Sequence, residues 1–486
     1  MTTLQEPVAE ATRRSARAAP LALLPSDLPP VERRATMPAG FLAGGLTAGI
    51  KKSGRPDLAV LVAGTRADGA LAPTGAGIRL GRPAAVAALF TRHQLPAAPV
   101  RLSQEHLHAT DAGGDGRYGW ALAVLATSGS ANAATGPSGD TEQEALAEAL
   151  AARLGTGHEL TLALSTGVIG THLPVGVVTA GLERLLPALG SDDASLLAAA
   201  TALRTTDSTT KVATATAELP GPHGEPATVH VTGIAKGVGM IHPRLATMLA
   251  VLLTDATADP ATLSGLLRGA GSRTWNQLSV DGDTSTNDTV FLLASGGAGA
   301  ALALPGTPAA LALGRAVEAV ARDLARQQAA DGEGATTLIT CQVSGAREDA
   351  DARAVARAVV SSSLVKAAIH GRDPNWGRVL AAAGNAHLPD AELLEAAGLE
   401  PAEAAARAGR PVALDPDRVR LAIAGQAVFD GGAGGPLPFE RASARAQMAL
   451  PEVLLRLDLG QGTGSGEAFG CDLTEAYVRE NAEYTT

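Results

Sequence analysis

Cysteine, lysine and aromatic residues are all scarce in this chain. Only two cysteines occur in 486 residues. They stand at Cys341 and Cys471, far apart and outside any CxxC pair, so neither a zinc ribbon nor a thioredoxin-type dithiol is written here. Two buried free thiols in a reducing compartment are expected instead. Phe, Trp and Tyr make up 2% of the residues, while alanine and glycine dominate. Lysine occurs five times, at 51, 52, 211, 236 and 366, which makes each one more informative. Basic excess is also missing: the net charge of −10 leaves no electrostatic footprint for nucleic acid. A local cationic pocket for a small anion is still compatible with it. No apolar run reaches the roughly 18 residues of a membrane helix.

What is present reads as a globular protein. Apolar content is 46% and charged content 18%. Residues 1–35 are rich in Arg, Ala and Pro. The apolar piece Leu21–Leu24 is too short for a twin-arginine signal, and Glu6 and Glu10 speak against a mitochondrial presequence. A disordered tail on a cytoplasmic protein is expected. Beyond it, short apolar or β-branched strand candidates lie at 57–62, 121–125, 160–164, 227–232 and 418–423. Helix candidates lie at 141–153, 311–330 and 349–360. The first opens on Asp140-Thr141, and the second stops at Asp331-Gly332. Mixed elements of this kind predict layered α and β structure. The strands do not alternate regularly with helices, so a doubly wound parallel sheet is not required. Segments 219–226 and 431–438 read as surface loops, and a smaller unit is expected after about residue 380.

Several motifs fail on spacing. The glycine clusters at 44–49, 237–239 and 296–299 match neither a P-loop nor a dinucleotide fingerprint. No G-x-S-x-G elbow occurs. Glu105-His-Leu-His108 offers two imidazoles, but no third ligand stands at a recognisable spacing, and a solvated loop is expected there.

The informative stretch is Lys236-Gly-Val-Gly-Met-Ile-His-Pro-Arg-Leu-Ala-Thr-Met-Leu249. A threonine hydroxyl is a weak nucleophile unless a base lies beside it. Its own α-amine, with an ordinary pKa of about 7.7–8.0, can be that base. The amine is free only if the Ala246–Thr247 bond is cut. Attack by the hydroxyl on the preceding carbonyl would give an ester that water opens. Gly237 and Gly239 permit the backbone conformations such a turn needs. Taken alone, however, the segment reads first as a glycine turn leading into a buried strand that happens to contain threonine.

Further segments carry a resemblance. They are Ser165-Thr-Gly-Val-Ile-Gly170, Thr205-Thr-Asp207, Gly233 through Leu249, Ser279-Val-Asp-Gly-Asp-Thr-Ser-Thr-Asn-Asp-Thr289 and Asp331-Gly-Glu-Gly-Ala335. Gly371-Arg-Asp-Pro-Asn-Trp-Gly-Arg378, Gly470-Cys-Asp-Leu-Thr-Glu475 and Asn481-Ala-Glu-Tyr-Thr-Thr486 complete the set. In this order, over residues 37–486, the chain resembles the glutamate N-acetyltransferase family, also called ornithine acetyltransferase. The resemblance implies a layered α/β sandwich of the helix/sheet/sheet/helix type with a smaller C-terminal α/β unit at 380–486. It also implies self-cleavage into an alpha chain, 36–246, and a beta chain, 247–486, assembled as a heterotetramer of two alpha and two beta chains.

By that resemblance Thr247 is the nucleophile, and Thr166 with Gly167 is the oxyanion hole. Thr205, Lys236, Thr247, Glu333, Asn481 and Thr486 bind substrate, with Thr205 preferred over Thr206. The implied reaction moves acetyl from N2-acetylornithine to glutamate in arginine biosynthesis, and some members also accept acetyl-coenzyme A. No cofactor is implied. Asp281, Asp283 and Asp288 look like a metal cluster, but the resemblance makes them a hydrogen-bonded turn and leaves the site without a metal.

Some positions depart from the family pattern. Thr127-Ser-Gly-Ser-Ala-Asn-Ala133 lacks two asparagines usual there. Trp275 replaces a usual phenylalanine, and Arg244 a small or polar residue. They leave two alternatives open: an acetyltransferase of a specialised pathway with an ornithine-like donor, and a self-cleaving aminopeptidase-like hydrolase.

Overall fold

A computed structural model describes residues 28–66, 77–242 and 248–482. In chain order it begins with β1 (Phe41–Leu46), β2 (Leu58–Arg66), β3 (Ile78–Leu80), β4 (Ala84–Phe90) and helix α1 (Ala98–Thr110). Then come β5 (Tyr118–Ala121), β6 (Ala123–Ser130), α2 (Gly136–Leu154), β7 (Thr161–Val168), α3 (Val175–Leu185) and α4 (Asp193–Leu203). The hairpin β8 (Lys211–Pro220) and β9 (Pro226–Lys236) leads to β10 (Leu249–Thr254), α5 (Pro260–Arg273), β11 (Leu278–Ser279) and β12 (Thr289–Ala294). Helix α6 (Pro308–Ala330), β13 (Leu338–Ala346), α7 (Asp349–Ser361), α8 (Ser363–His370) and α9 (Trp376–Gly384) follow. The last part carries α10 (Ala391–Ala396), α11 (Pro401–Arg407), β14 (Arg420–Ile423), β15 (Gln426–Asp430) and β16 (Gly435–Pro436). It ends with α12 (Arg441–Gln447), β17 (Glu452–Asp458), β18 (Gly464–Cys471) and α13 (Glu475–Ala482).

The strands form three sheets. The first runs β1-β2-β6-β7, with β3 on β2. The second runs β5-β4-β12-β10-β9-β8, and the third β11-β18-β13-β17-β14-β15-β16. Successive strand residues point to opposite faces, and in the inner strands of the first two sheets both faces are covered, which is why those strands read as nearly unbroken apolar runs. Leu61, Val124 and Leu164 of the first sheet share one core with Val86, Val251 and Phe291 of the second. The other face of the first sheet, through Val60, Val62 and Leu125, packs on Leu146 and Leu150 of α2 and Leu182 of α3. The outer face of the second, through Leu252 and Leu292, packs on Leu263 and Leu267 of α5 and Val317 and Leu324 of α6. A further core joins the third sheet to α7 and to the C-terminal helices, drawing on residues from Ile339 to Ala468.

All five strand candidates overlap strands, and all three helix candidates overlap helices. Boundaries shift by a few residues, and one cap is misplaced. Helix α2 starts at Gly136 with Pro137 in its first turn, so Asp140 lies within the helix rather than at its cap. Proline suits that position because the first-turn N–H groups lack intrahelical acceptors anyway. Segment 219–226 is the tip of the β8–β9 hairpin. Glu105–His108 lies inside α1 rather than in a loop, with His106 buried. Cys341 and Cys471 are both free and buried, and burial pushes the Cys471 thiol up to about 11, so neither is a reactive thiolate at neutral pH. Among the described residues, no helix is long and apolar enough to cross a membrane.

Candidate active site

The turn after β9 is held at each polar point. Lys236 pairs with Leu249 across the β9–β10 ladder, so the chain leaves and re-enters the second sheet at one place. Gly237 sits at φ +134°, which only glycine tolerates well, and its N–H donates to Asp207 Oδ1 at 2.9 Å. The Met240 and Ile241 N–H groups donate to the two carboxylate oxygens of Asp281, at 2.5 and 2.9 Å. Asp281 also accepts from the Asp283 N–H, so these two acids belong to a hydrogen-bonded turn. Ala246 and Thr247, the expected cleavage site, lie outside the described residues, as do Arg244 and Thr486.

Around this turn lies a buried ionic group. Lys211 Nζ donates to Asp207 Oδ1 and to Asp331 Oδ2, both at 2.6 Å. Burial opposes the charge on Lys211, but the two carboxylates outweigh it and its pKa rises. Burial likewise pushes Asp207 up, yet Lys211 and Lys236 overcome this and hold its carboxyl below the usual range. Lys236 behaves differently: burial lowers its pKa, and Asp207 and Asp288 only partly offset that.

Two residues beyond Asp331, Glu333 reaches back to the turn. Its N–H donates to the Val238 carbonyl at 2.8 Å. Its Oε1 accepts from Thr206 Oγ1 at 2.9 Å, and its Oε2 from Asn481 Nδ2 at 3.0 Å. The threonine side chain on Glu333 is therefore Thr206, whereas Thr205 donates its N–H to Asp207. Helix α13 brings Asn481 in, and Tyr477 on the same helix is pushed up to about 12 by burial and by nearby Asp281, Asp283 and Glu333.

Thr166 and Gly167 lie near the end of β7, with Thr166 buried. Gly167 sits at φ +136°, and a Cβ there would come within 2.3 Å of the Gly129 carbonyl carbon. This strand end is tied to the second sheet by one side chain. Asn287 Nδ2 donates to the Ser165 carbonyl at 2.9 Å and the Ala131 carbonyl at 2.6 Å. Two residues on, the Thr289 N–H donates to the Met248 carbonyl at 2.9 Å. Asn287–Thr289 thus links the Thr166–Gly167 strand to the residue that follows Thr247.

The departing positions are satisfied in place. Thr127 and Ser165 share a hydroxyl hydrogen bond at 3.0 Å, and Ser130 Oγ donates to the Thr171 carbonyl at 2.7 Å. Trp275 is fully buried, and its indole N–H donates to Gln328 Oε1 at 3.1 Å. Gln328 Nε2 then donates to the Lys236 carbonyl at 2.9 Å. A phenylalanine at 275 could not make the first of these bonds.

Sequence reasoning missed Asp207, Lys211, Asp331, Asn287 and Asp288 as site residues. Asp288 differs from Asp281. It is buried, its Oδ2 finds no hydrogen-bond partner, and burial raises its pKa well above the usual range against the pull of Ser285 and Lys236. An acid raised in the folded state costs stability once pH exceeds its unfolded value of about 3.9. Asp288→Asn is therefore expected to raise Tm by about 2–4 °C at pH 7–8. The gain should vanish below about pH 4, where both forms are neutral. A thermal scan showing a lower Tm at neutral pH would overturn this reading of Asp288.

Comparison with known proteins follows the same outline. A family model described as ArgJ family matches residues 42–486. A protein of Thermosynechococcus vestitus named arginine biosynthesis bifunctional protein ArgJ is 42% identical over 454 residues, covering 93% of this chain and 97% of its own. The protein of that name from Thermus thermophilus is 42% identical over 451 residues, covering 93% and 99%. A solved structure of ornithine acetyltransferase complexed with ornithine, from Mycobacterium tuberculosis, is 35% identical. It covers 45% of this chain and 99% of that chain, with a TM-score of 0.34.

Proposed function

The chain belongs to the ArgJ family, and from that membership we propose that it is the acyltransferase of arginine biosynthesis that moves acetyl from N2-acetylornithine to glutamate. The observation that carries this reading is a Glu333 carboxylate fixed by Thr206 and Asn481 at the turn that begins with Lys236 and leads to Thr247. An amino-acid substrate presents a carboxylate to Lys236 and an amine to Glu333.

The reaction begins with cleavage of the Ala246–Thr247 bond, which separates the alpha part, 36–246 with the tail before it, from 247–486 and frees the Thr247 α-amine. The Thr247 hydroxyl adds to the acetyl carbonyl of acetylornithine while its α-amine takes the proton. The Thr166 hydroxyl and the Gly167 N–H receive the negative charge on the former carbonyl oxygen. Collapse breaks the C–N bond, the proton passes to the departing nitrogen, and ornithine leaves an acetyl ester on Thr247. The amine of glutamate then adds to that ester, returns the hydroxyl proton through the same α-amine and departs as N-acetylglutamate. Acetyl-coenzyme A as an alternative donor would enter at the first step. Two cleaved protomers pairing as a cytoplasmic heterotetramer belong to the same reading. So does the order helix, sheet, sheet, helix, supported by the three cores that alternate across the first two sheets.

Neutralising Glu333 tests the substrate assignment. Glu333→Gln keeps the shape but removes the charge, and a charge-assisted hydrogen bond contributes about 1.5–3 kcal/mol. KM for acetylornithine should rise roughly 10–100-fold, with cleavage intact. An unchanged KM would remove Glu333 from the substrate site. Steady release of free acetate without any acceptor would favour the hydrolase reading.

A further inference from the structure

Three ligand-capable side chains converge far from the turn described above. His106 lies on α1, Glu144 on α2, and His158 in the short 3-10 turn His158–Leu160 that leads into β7. One nitrogen from each imidazole and a carboxylate oxygen lie within 4.8 Å of one another. His106 Nε2 is 3.8 Å from Glu144 Oε2, and His158 Nε2 is 3.5 Å from Glu144 Oε1. Sequence spacing hides this group, because its members come from three separate elements.

The tautomer of His106 makes the arrangement informative. The side chain is 7% exposed, and its Nδ1 lies 2.7 Å from the Thr161 carbonyl oxygen. A carbonyl only accepts, so Nδ1 carries the proton. With Nδ1 engaged there, Nε2 is the ring nitrogen that faces Glu144 and is open to a ligand. A backbone carbonyl on the far nitrogen is also how metal-ligating histidines are usually oriented.

We propose that His106, Glu144 and His158 form a binding site for a zinc-like divalent cation. Zinc binds imidazole nitrogen and carboxylate oxygen at about 2.0–2.2 Å, which puts neighbouring ligands roughly 3.4 Å apart in a tetrahedron. The 3.8 and 3.5 Å separations run to different oxygens of Glu144, so a carboxylate binding through both keeps them, and the ligand atoms, all within 4.8 Å of one another, must close in by up to about 1.4 Å to reach that spacing. Calcium and magnesium prefer all-oxygen shells and fit poorly. Glu144 and His158 are partly exposed, so an ion can enter and a water can complete the shell. The role is structural. The ion would join α1, α2 and the start of β7, whose other end carries Thr166 and Gly167.

The test uses the untagged full chain, stripped with EDTA and titrated with Co2+ and then Zn2+. One equivalent of Co2+ should give a visible d–d absorption band that Zn2+ displaces, and Zn2+ should raise Tm. In His158→Ala, a change at an exposed side chain, metal affinity should fall about 10–100-fold and the Tm response should disappear. His108→Ala, also exposed and two residues from His106, should behave as wild type. No saturable uptake, or uptake that survives His158→Ala, overturns the proposal.

Discussion

Replacing Thr247 with alanine should leave one uncut chain of 48.7 kDa, where the wild type should give two fragments meeting between Ala246 and Thr247. Intact-mass spectrometry under denaturing conditions reads this directly. In the proposed mechanism one hydroxyl has two uses: it first attacks its own preceding carbonyl, and afterwards it attacks the acetyl group. Alanine removes both, so acetyl transfer should fall by on the order of 10⁴–10⁶, the scale seen when a nucleophile is deleted. Thr247→Ser keeps the hydroxyl and should still be cut. A wild-type chain that stays whole, or a Thr247→Ala chain that is still cut there, would end the mechanism.

Lys211→Met is the second large effect, and it acts on stability. Lys211 is fully buried between Asp207 and Asp331. Methionine fills much of the volume but leaves two carboxylates without their cation. Breaking a buried pair in this way costs about 3–5 kcal/mol. The Lys211 contribution is fully present below its unfolded pKa of about 10.4 and is lost only as pH rises through its higher folded value. The Asp207 contribution is present above about 3.9 and is lost as pH falls through its lower folded value. The gap between wild type and variant in urea unfolding should therefore be flat from about pH 5 to 9 and narrow in acid. Activity should fall as well, because Asp207 holds the Gly237 N–H and Asp331 lies two residues before Glu333. A loss below about 1 kcal/mol would show that the Asp207–Lys211–Asp331 group does not hold the fold together.

The sequence was most legible where a side chain's task is local. The strands at 58–66, 161–168 and 226–236 announce themselves as apolar or β-branched runs, and α6 stops where Asp331-Gly332 said it would. The turn at 237–242 was legible as a glycine turn. What could not be read were partners set by topology. Lys211 meets Asp331 across 120 positions, and Asn287 meets Ser165 across 122. No periodicity encodes such distances. Asp288 was grouped with Asp281 because they share a polar motif, yet one lies in a turn with three N–H donors and the other at the mouth of a buried strand. Thr205 and Thr206 could not be separated either, because neighbouring residues in a loop differ only in which way each side chain leaves the backbone.

The order of the second sheet, β5-β4-β12-β10-β9-β8, has a consequence for a chain cut at Ala246–Thr247. Strands β10 and β12 would then belong to one product and the four strands around them to the other. The later piece is a wedge, gripped on its left by β4 and on its right by β9 through main-chain hydrogen bonds. Neither product can slide free without tearing both seams at once. Maturation would therefore work as a one-way latch. The halves would then be expected to stay together on dilution and to resist assembly from separately made pieces, since each alone would present raw sheet edges where the other belongs.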